Sequence, residues 1–280
     1  MRVPVHALTV RQALAQASLA PIDAQVLLAH VLGTDRAWLL AHATDALAIA
    51  AVEAFFTLAQ RRRDGEPVAY LTGTREFWGL PIAVDASVLI PRPETETLVE
   101  CALRALPAAR PLRVLDLGTG SGAIALAIAH ERPQAQVLAL DVSPSALAVA
   151  RRNGARMKLA HLSWLQSDWY GDLPGDVLPF DLIVSNPPYV ADADPHLAEG
   201  DVRFEPPQAL RAGRDGLDAL RIVVAGAPAR LVRGGTLVVE HGFDQADAVR
   251  ALMRAAGFAQ PRTFRDLAGI PRVCVATNAV

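Results

Sequence analysis

Asn186-Pro187-Pro188-Tyr189 is the densest piece of chemistry in this 280-residue chain, and it stands directly behind the apolar run Phe180–Ser185. Consecutive prolines remove two backbone donors and hold an extended path. A rigid strand-to-loop turn needs no more than that. With Asn186 in front, however, its side-chain oxygen and the Pro187 carbonyl become two convergent acceptors at the carboxyl end of a strand, where open α/β sheets bind ligands. Two acceptors suit a planar NH2 group, and Tyr189 can stack on its plane. Such a nitrogen is a poor nucleophile because its lone pair is delocalised. Two hydrogen bonds that hold it and draw it toward tetrahedral geometry aim it at an electrophile. Asn186, Pro187 and Tyr189 are the catalytic candidates, and Pro188 completes the substrate-binding turn. The chemistry requires no catalytic His or metal.

A second signal is Asp116-Leu117-Gly118-Thr119-Gly120-Ser121-Gly122, between an apolar pair at Val114-Leu115 and the apolar stretch Ile124–Ala129. Strand, glycine loop and helix in this order form a nucleotide-cofactor cradle. Asp141 follows 19 residues after Gly122, where a carboxylate accepts from both ribose hydroxyls of an adenosyl group. Gly118, Gly120 and Ala123 also satisfy the G-x-G-x-x-G/A fingerprint of NAD enzymes, so the loop alone leaves an oxidoreductase open. Two details favour S-adenosylmethionine: Asp116 enters the loop and suits a cationic amino-acid end, and Asp168-Trp169 follows a later strand. There a ring can stack on adenine while the carboxylate accepts from its amino group. A sulfonium methyl is also an electrophile fit for an oriented NH2.

The elements that must position these residues are legible from periodicity. Up to about residue 65, apolar residues recur at helical spacing (Leu14, Val26, Leu27, Val31, Phe55, Phe56), with Thr9 and Thr34 or Asp35 as N-caps and Gly33 and Gly65 as stops. Tyr70–Ile90 reads as a β-hairpin with a Trp78-Gly79 turn. Strands are then expected at Val114-Leu115, Val137–Leu140, Leu162–Leu165, Phe180–Val184, Thr236–Val239 and, closing the sheet, Arg272–Ala276. Helices are expected at Ala146–Ala150 behind Ser143-Pro144, around Leu217–Leu231, and over Gln245–Ala256. The alternation predicts an α/β fold with a mostly parallel sheet covered on both faces. Three parts follow: a helical bundle over 1–69, a hairpin linker over 70–90 and an α/β domain over 91–280.

Composition bounds the partners. Lys+Arg number 27 against 29 Asp+Glu, and residues 1–80 carry seven of each, so neither half has the charge excess that phosphate neutralisation demands. Arg61-Arg62-Arg63 reads as a solvated helix end. Cys101 and Cys274 lie apart with no metal-binding spacing, as for free thiols in a reducing cytoplasm, and no 18-residue apolar run indicates a membrane span. A cytoplasmic, unanchored protein is expected. The 27-residue connection 190–216 is long enough to be functional, and Arg203, Phe204 and Arg211 on it are candidate partner contacts. Glu240 and His241 receive no role from spacing alone.

The order Asp116–Gly122, Asp141, Asp168-Trp169, Asn186–Tyr189 resembles class I S-adenosylmethionine-dependent methyltransferases acting on NH2 nitrogens, which implies a Rossmann-like, mostly parallel sheet with a C-terminal antiparallel strand. With Ile90–Glu96, Gly200–Pro206 and Glu240-His241-Gly242, nearly the whole chain resembles the HemK/PrmC family. That resemblance implies methylation of the amide nitrogen of the glutamine in the Gly-Gly-Gln motif of class I peptide chain release factors. It further implies cofactor contacts from Gly118, Thr119, Gly120, Ser121, Gly122, Asp141, Asp168, Trp169 and Asn186. Asn186–Tyr189 would hold the glutamine, Arg92 and Glu94 would close over it, and the helical bundle would grip the factor. An adenine or guanine amino-methyltransferase acting on DNA or RNA is the alternative use of the same motif, disfavoured by the neutral charge.

Overall fold

Helical periodicity in the first 65 residues becomes four helices, followed by a fifth, in the computed structural model, which describes residues 8–106, 111–159 and 161–279. They are α1 (Val10–Gln16), α2 (Pro21–Leu32), α3 (Arg36–Ala41), α4 (Ile49–Arg63) and α5 (Val68–Thr72). Thr9 starts α1 through a capping box with Gln12. Asp35 caps α3, its carboxylate accepting from the Trp38 N–H at 2.7 Å. Gly33 ends α2 in the left-handed region, where glycine is unstrained. The apolar stripes of these helices meet in one core around Leu27, Leu28, Leu39 and Phe55.

The hairpin is narrower than the 70–90 stretch: β1 (Thr74–Phe77) and β2 (Leu80–Ala83) flank Trp78 and Gly79, both at positive φ as a two-residue hairpin turn requires. The residues before it form α5. After it come α6 (Glu96–Ala105), β3 (Arg113–Leu117), α7 (Ala123–Glu131), β4 (Gln136–Asp141), α8 (Pro144–Met157), β5 (Leu162–Gln166) and β6 (Phe180–Ser185). The last third holds α9 (Asp218–Gly226), β7 (Leu231–Glu240), α10 (Ala246–Ala255), β8 (Phe258–Arg265) and β9 (Pro271–Asn278).

Seven strands order as β5-β4-β3-β6-β7-β9-β8, parallel from β5 to β7 and antiparallel for β9 and β8. Two expectations need correcting. The helix expected over Leu217–Leu231 stops at Gly226, and β7 begins at Leu231, earlier than the expected Thr236. β8 was not expected at all, because Phe258-Ala-Gln-Pro-Arg-Thr-Phe-Arg carries a proline and too many polar residues. It is an edge strand, where both are tolerated. The buried core beneath the sheet includes Leu115, Leu117, Phe180, Ile183, Leu237 and Val239.

The chain divides into two units: the described residues of Met1–Thr74 with Ala198–Phe204, and Arg75–Leu197 with Glu205–Val280. Ala198–Phe204 thus groups with the helices although it lies inside the 91–280 range. Within that first unit Arg62 pairs with both Asp23 at 2.8 Å and Asp201 at 2.7 Å, and Arg203 donates to the Asp64 carbonyl at 2.9 Å. Arg61 pairs with Glu66, and Arg63 donates to the Ala17 carbonyl. The arginine triplet is therefore tied down rather than a freely solvated helix end.

Candidate functional site

Strand register places the site. Leu117 of β3 stands beside Leu140 of β4 and Ser185 of β6; Leu140 pairs in turn with Leu165 of β5, and Ser185 with Val239 of β7. One step toward the carboxyl ends, the next residues are Gln166, Asp141, Gly118, Asn186 and Glu240. A single row across five strands therefore carries the glycine loop, the carboxylate, the asparagine and a buried glutamate. The strand order reverses between β3 and β6, which is the crevice where open α/β sheets take ligands.

A cavity of about 410 Å³ opens there, within the second unit. Gly118, Gly120, Asp141, Asp168, Trp169, Asn186 and Pro188 line it. Gly118 and Gly120 have positive φ, and a Cβ added to Gly118 would lie 3.9 Å from the Trp169 ring. Backbone at this loop is consequently bare to whatever occupies the cavity. The Asp141 carboxylate accepts from the Gly120 N–H at 2.8 Å and the Ser143 N–H at 2.9 Å, while burial pushes its pKa up. Together with the Val142 N–H these donors fix the carboxylate, and three donors against four lone pairs still leave it an acceptor site for a ligand. Trp169 sits at φ 51, held by a turn in which the Ser167 hydroxyl donates to its carbonyl at 2.8 Å.

Thr119, Ser121 and Gly122 do not line the cavity; they build the loop from behind. The Thr119 hydroxyl donates to Asp116 at 2.6 Å, and the Ser121 carbonyl accepts from Asn153 at 2.9 Å. A Cβ on Gly122, at φ 85, would lie 3.0 Å from the Trp164 ring. Asp116 is wholly buried and pushed up to about 7 by burial, with the Thr119 hydrogen bond opposing and Asp141 adding. It is a loop anchor, away from the cavity wall where a cationic end would lie.

At the other side, the Asn186 amide nitrogen donates to the Thr95 hydroxyl oxygen at 3.2 Å. That leaves the Asn186 oxygen for the cavity. The Tyr189 hydroxyl donates to Glu240 at 3.2 Å, and burial raises the Tyr189 pKa. Pro187 and Tyr189 lie behind the cavity lining, Pro187 buried and Tyr189 partly so. Gln245 pins this loop by donating to the Tyr189 carbonyl at 3.0 Å while accepting from the Gly242 N–H at 2.8 Å.

Arg92 and Glu94 also stay off the cavity wall. Arg92 pairs with the buried Glu205, whose other oxygen accepts from the Ile90 N–H at 3.0 Å. Glu94 faces Tyr189 and Glu240 closely enough to raise both their pKa values. Arg203 and Phe204 belong to the first unit, whereas Arg211 lines the cavity. Sequence reasoning missed several wall residues, among them Ser87–Leu89, Val142, Gln208 and Ile222. Val142 had a signal in its place directly after Asp141; Ser87–Leu89 and Gln208 come from connecting segments without a motif, and Ile222 from α9.

Residues 9–73 match the PrmC N-terminal domain model and residues 95–203 the methyltransferase small domain model. A release factor glutamine methyltransferase of Xylella fastidiosa is 56% identical over 91% of this chain and 92% of its own length. That of Escherichia coli is 46% identical over 90% of each chain. A methyltransferase from Pyrococcus furiosus superposes with a TM-score of 0.54 at 17% identity, over 79% of this chain and 98% of its own, which speaks to fold alone. The seven-stranded unit has the class I S-adenosylmethionine-dependent methyltransferase fold. With relatives this similar along nine-tenths of its length, the chain belongs to the release factor glutamine methyltransferase family.

Proposed function

We propose that this chain transfers a methyl group from S-adenosylmethionine to the side-chain amide nitrogen of the glutamine in the Gly-Gly-Gln motif of class I peptide chain release factors. The observation that carries the reading is the Asn186 amide, whose nitrogen is committed to Thr95 and whose oxygen is left for the cavity that Asp141 and Trp169 also line. The family membership supports the same substrate, and it favours S-adenosylmethionine over the NAD that the glycine loop alone left open.

The cavity fits the cofactor. Its volume lies in the range of small-ligand sites, Asp141 offers an acceptor for a ribose hydroxyl, and Trp169 with Val142 gives flat and apolar walls for adenine. When bound, S-adenosylmethionine supplies an electrophilic methyl on a sulfonium. Asn186 and the Pro187 carbonyl accept the two N–H bonds of the substrate amide and turn its nitrogen lone pair toward that methyl. Tyr189 limits the tilt of the amide plane. The surplus proton becomes strongly acidic only once the nitrogen has bonded to carbon, so it departs to solvent without a resident base. The helical unit would hold the release factor away from the glutamine.

Methyl transfer from labelled S-adenosylmethionine tests this, with an intact class I release factor beside the same factor lacking its Gly-Gly-Gln glutamine and beside duplex DNA. Label on the intact factor alone is expected. Label on DNA would keep the cofactor and overturn the substrate, and label on none would overturn the reading.

A further inference from the structure

Resting on the cofactor reading above, we propose that Glu205 is a positioning residue for S-adenosylmethionine: its carboxylate clasps together the two connecting segments that wall the cavity, 85–92 and 205–213, and so sets how tightly and how long the cofactor is held. Glu205 does not itself line the cavity.

The carboxyl edge of the sheet supplies only part of the wall. Residues 87–89 and most of residues 206–213 supply another part. Neither segment belongs to a strand or an α-helix, so no ladder of backbone hydrogen bonds holds it and its place must come from individual tethers. The first segment is tethered at Asp85, which accepts from the Ser87 N–H at 3.0 Å and pairs with Arg152 of α8 at 3.0 Å. The second is tethered behind Tyr189: the Val190 N–H donates to the Leu210 carbonyl, and the Ala212 N–H donates to the Val190 carbonyl, each at 2.9 Å.

Glu205 is where the two segments meet. One carboxylate oxygen accepts from the Ile90 N–H at 3.0 Å, and the other pairs with the Arg92 guanidinium, more than a hundred residues away in sequence. The Glu205 side chain is wholly buried, while Arg92 stays partly exposed. A buried carboxylate is costly unless it is paired, so the closed arrangement is the one that satisfies it. Charge-assisted bonds are about twice as strong as neutral ones, which makes the carboxylate a firmer clasp than an amide of the same shape. Without it each segment keeps its own tether, but nothing joins the two walls across the ligand. Arg92 thereby gains a task that needs no contact with the substrate.

The test compares Glu205→Gln, Arg92→Met and Arg92→Lys in the full-length protein. It reads S-adenosylmethionine Kd by calorimetry and the dissociation rate by chasing labelled cofactor with unlabelled, at a temperature where every variant is folded. Glu205→Gln and Arg92→Met should each raise Kd and the dissociation rate about 10-fold, the worth of one charge-assisted hydrogen bond, with association within about 3-fold of wild type. Arg92→Lys, which keeps the charge for a contact made through one nitrogen, should stay within about 3-fold in Kd. Arg92→Met placed in the Glu205→Gln background should add less than about 2-fold, because the clasp is already open. The KM for the cofactor should follow Kd, with kcat falling by less than KM rises.

A role confined to fold stability would lower the melting midpoint and leave Kd and dissociation of the folded variants at wild-type values, which overturns the clasp. Arg92→Lys as weak as Arg92→Met, or fully additive losses in the double variant, would overturn it too. Should Glu205→Gln not fold, the two Arg92 variants decide it. Wild-type protein that binds no S-adenosylmethionine would instead sink the cofactor reading, which separates the two failures.

Discussion

Asn186 spends one end of its amide on Thr95 and keeps the other for the cavity, so removing the side chain should abolish orientation without touching the core. Asn186→Ala is expected to keep the unfolding midpoint while turnover falls about 10²- to 10³-fold, which labelled-methyl kinetics would read. Glu240 makes a different prediction. Burial pushes its carboxyl up from 4.5 to about 7, with Glu94 adding to the rise and Tyr189 and Arg272 opposing it. The folded state thus holds a proton that the unfolded chain has lost, and this group's contribution must fall as pH rises from about 4.5 to about 7. Denaturant titrations across pH 4–8 should show wild type losing up to about 3 kcal/mol relative to Glu240→Gln over that window, and a flat difference would refute the assignment. Asn186 and Tyr189 announce themselves through the prolines between them. Thr95 and Glu240 do not, because their partners are 91 and 51 residues away in sequence and meet only once the register is set.

Among the elements, α8 carries a side chain that ties three parts together. Asn153 is fully buried; its oxygen accepts from the Ala83 N–H at 2.9 Å, and its nitrogen donates to the carbonyls of Ala83 at 3.0 Å and Ser121 at 2.9 Å. It joins the hairpin strand β2, the helix and the cofactor loop. Asn153→Ala should cost about 2–3 kcal/mol by leaving buried backbone groups unpaired, seen as a lower denaturant midpoint at unchanged slope. Gly122→Ala should cost about 1–3 kcal/mol, as it adds positive-φ strain to a contact of 3.0 Å with Trp164; a thermal melt measures it. The central strands β3 and β6 were legible because they are short apolar runs buried on both faces. β8 was not, since an edge strand owes its existence to its pairing with β9 and not to its own pattern. The end of α9 was misplaced for a related reason: Ala225–Leu231 is apolar enough for either state, and its pairing with β6 settles Leu231 as strand.

At the scale of the whole molecule, one connection leaves the α/β unit, contributes Ala198–Phe204 to the helical unit and returns. Asp201 and Arg203 bind Arg62 and the Asp64 carbonyl there, so the segment is part of that unit's own structure. Deleting residues 1–74 should leave S-adenosylmethionine affinity within about 3-fold while transfer to an intact release factor drops at least about 100-fold. Full transfer by the truncated chain, measured beside the intact one, would remove the helices from substrate recognition. The row Asp141, Gly118, Asn186, Glu240 has a metric consequence. Backbone hydrogen bonding holds neighbouring strands about 4.8 Å apart, so Asp141 and Asn186, with only β3 between their strands, stand two such intervals from each other. Side-chain replacement can change what is mounted at each graduation of that scale, but the interval belongs to the sheet. The reach from a group held by Asp141 to one held by Asn186 is thereby a constant of the fold, and a different ligand must be accommodated by the loops above it.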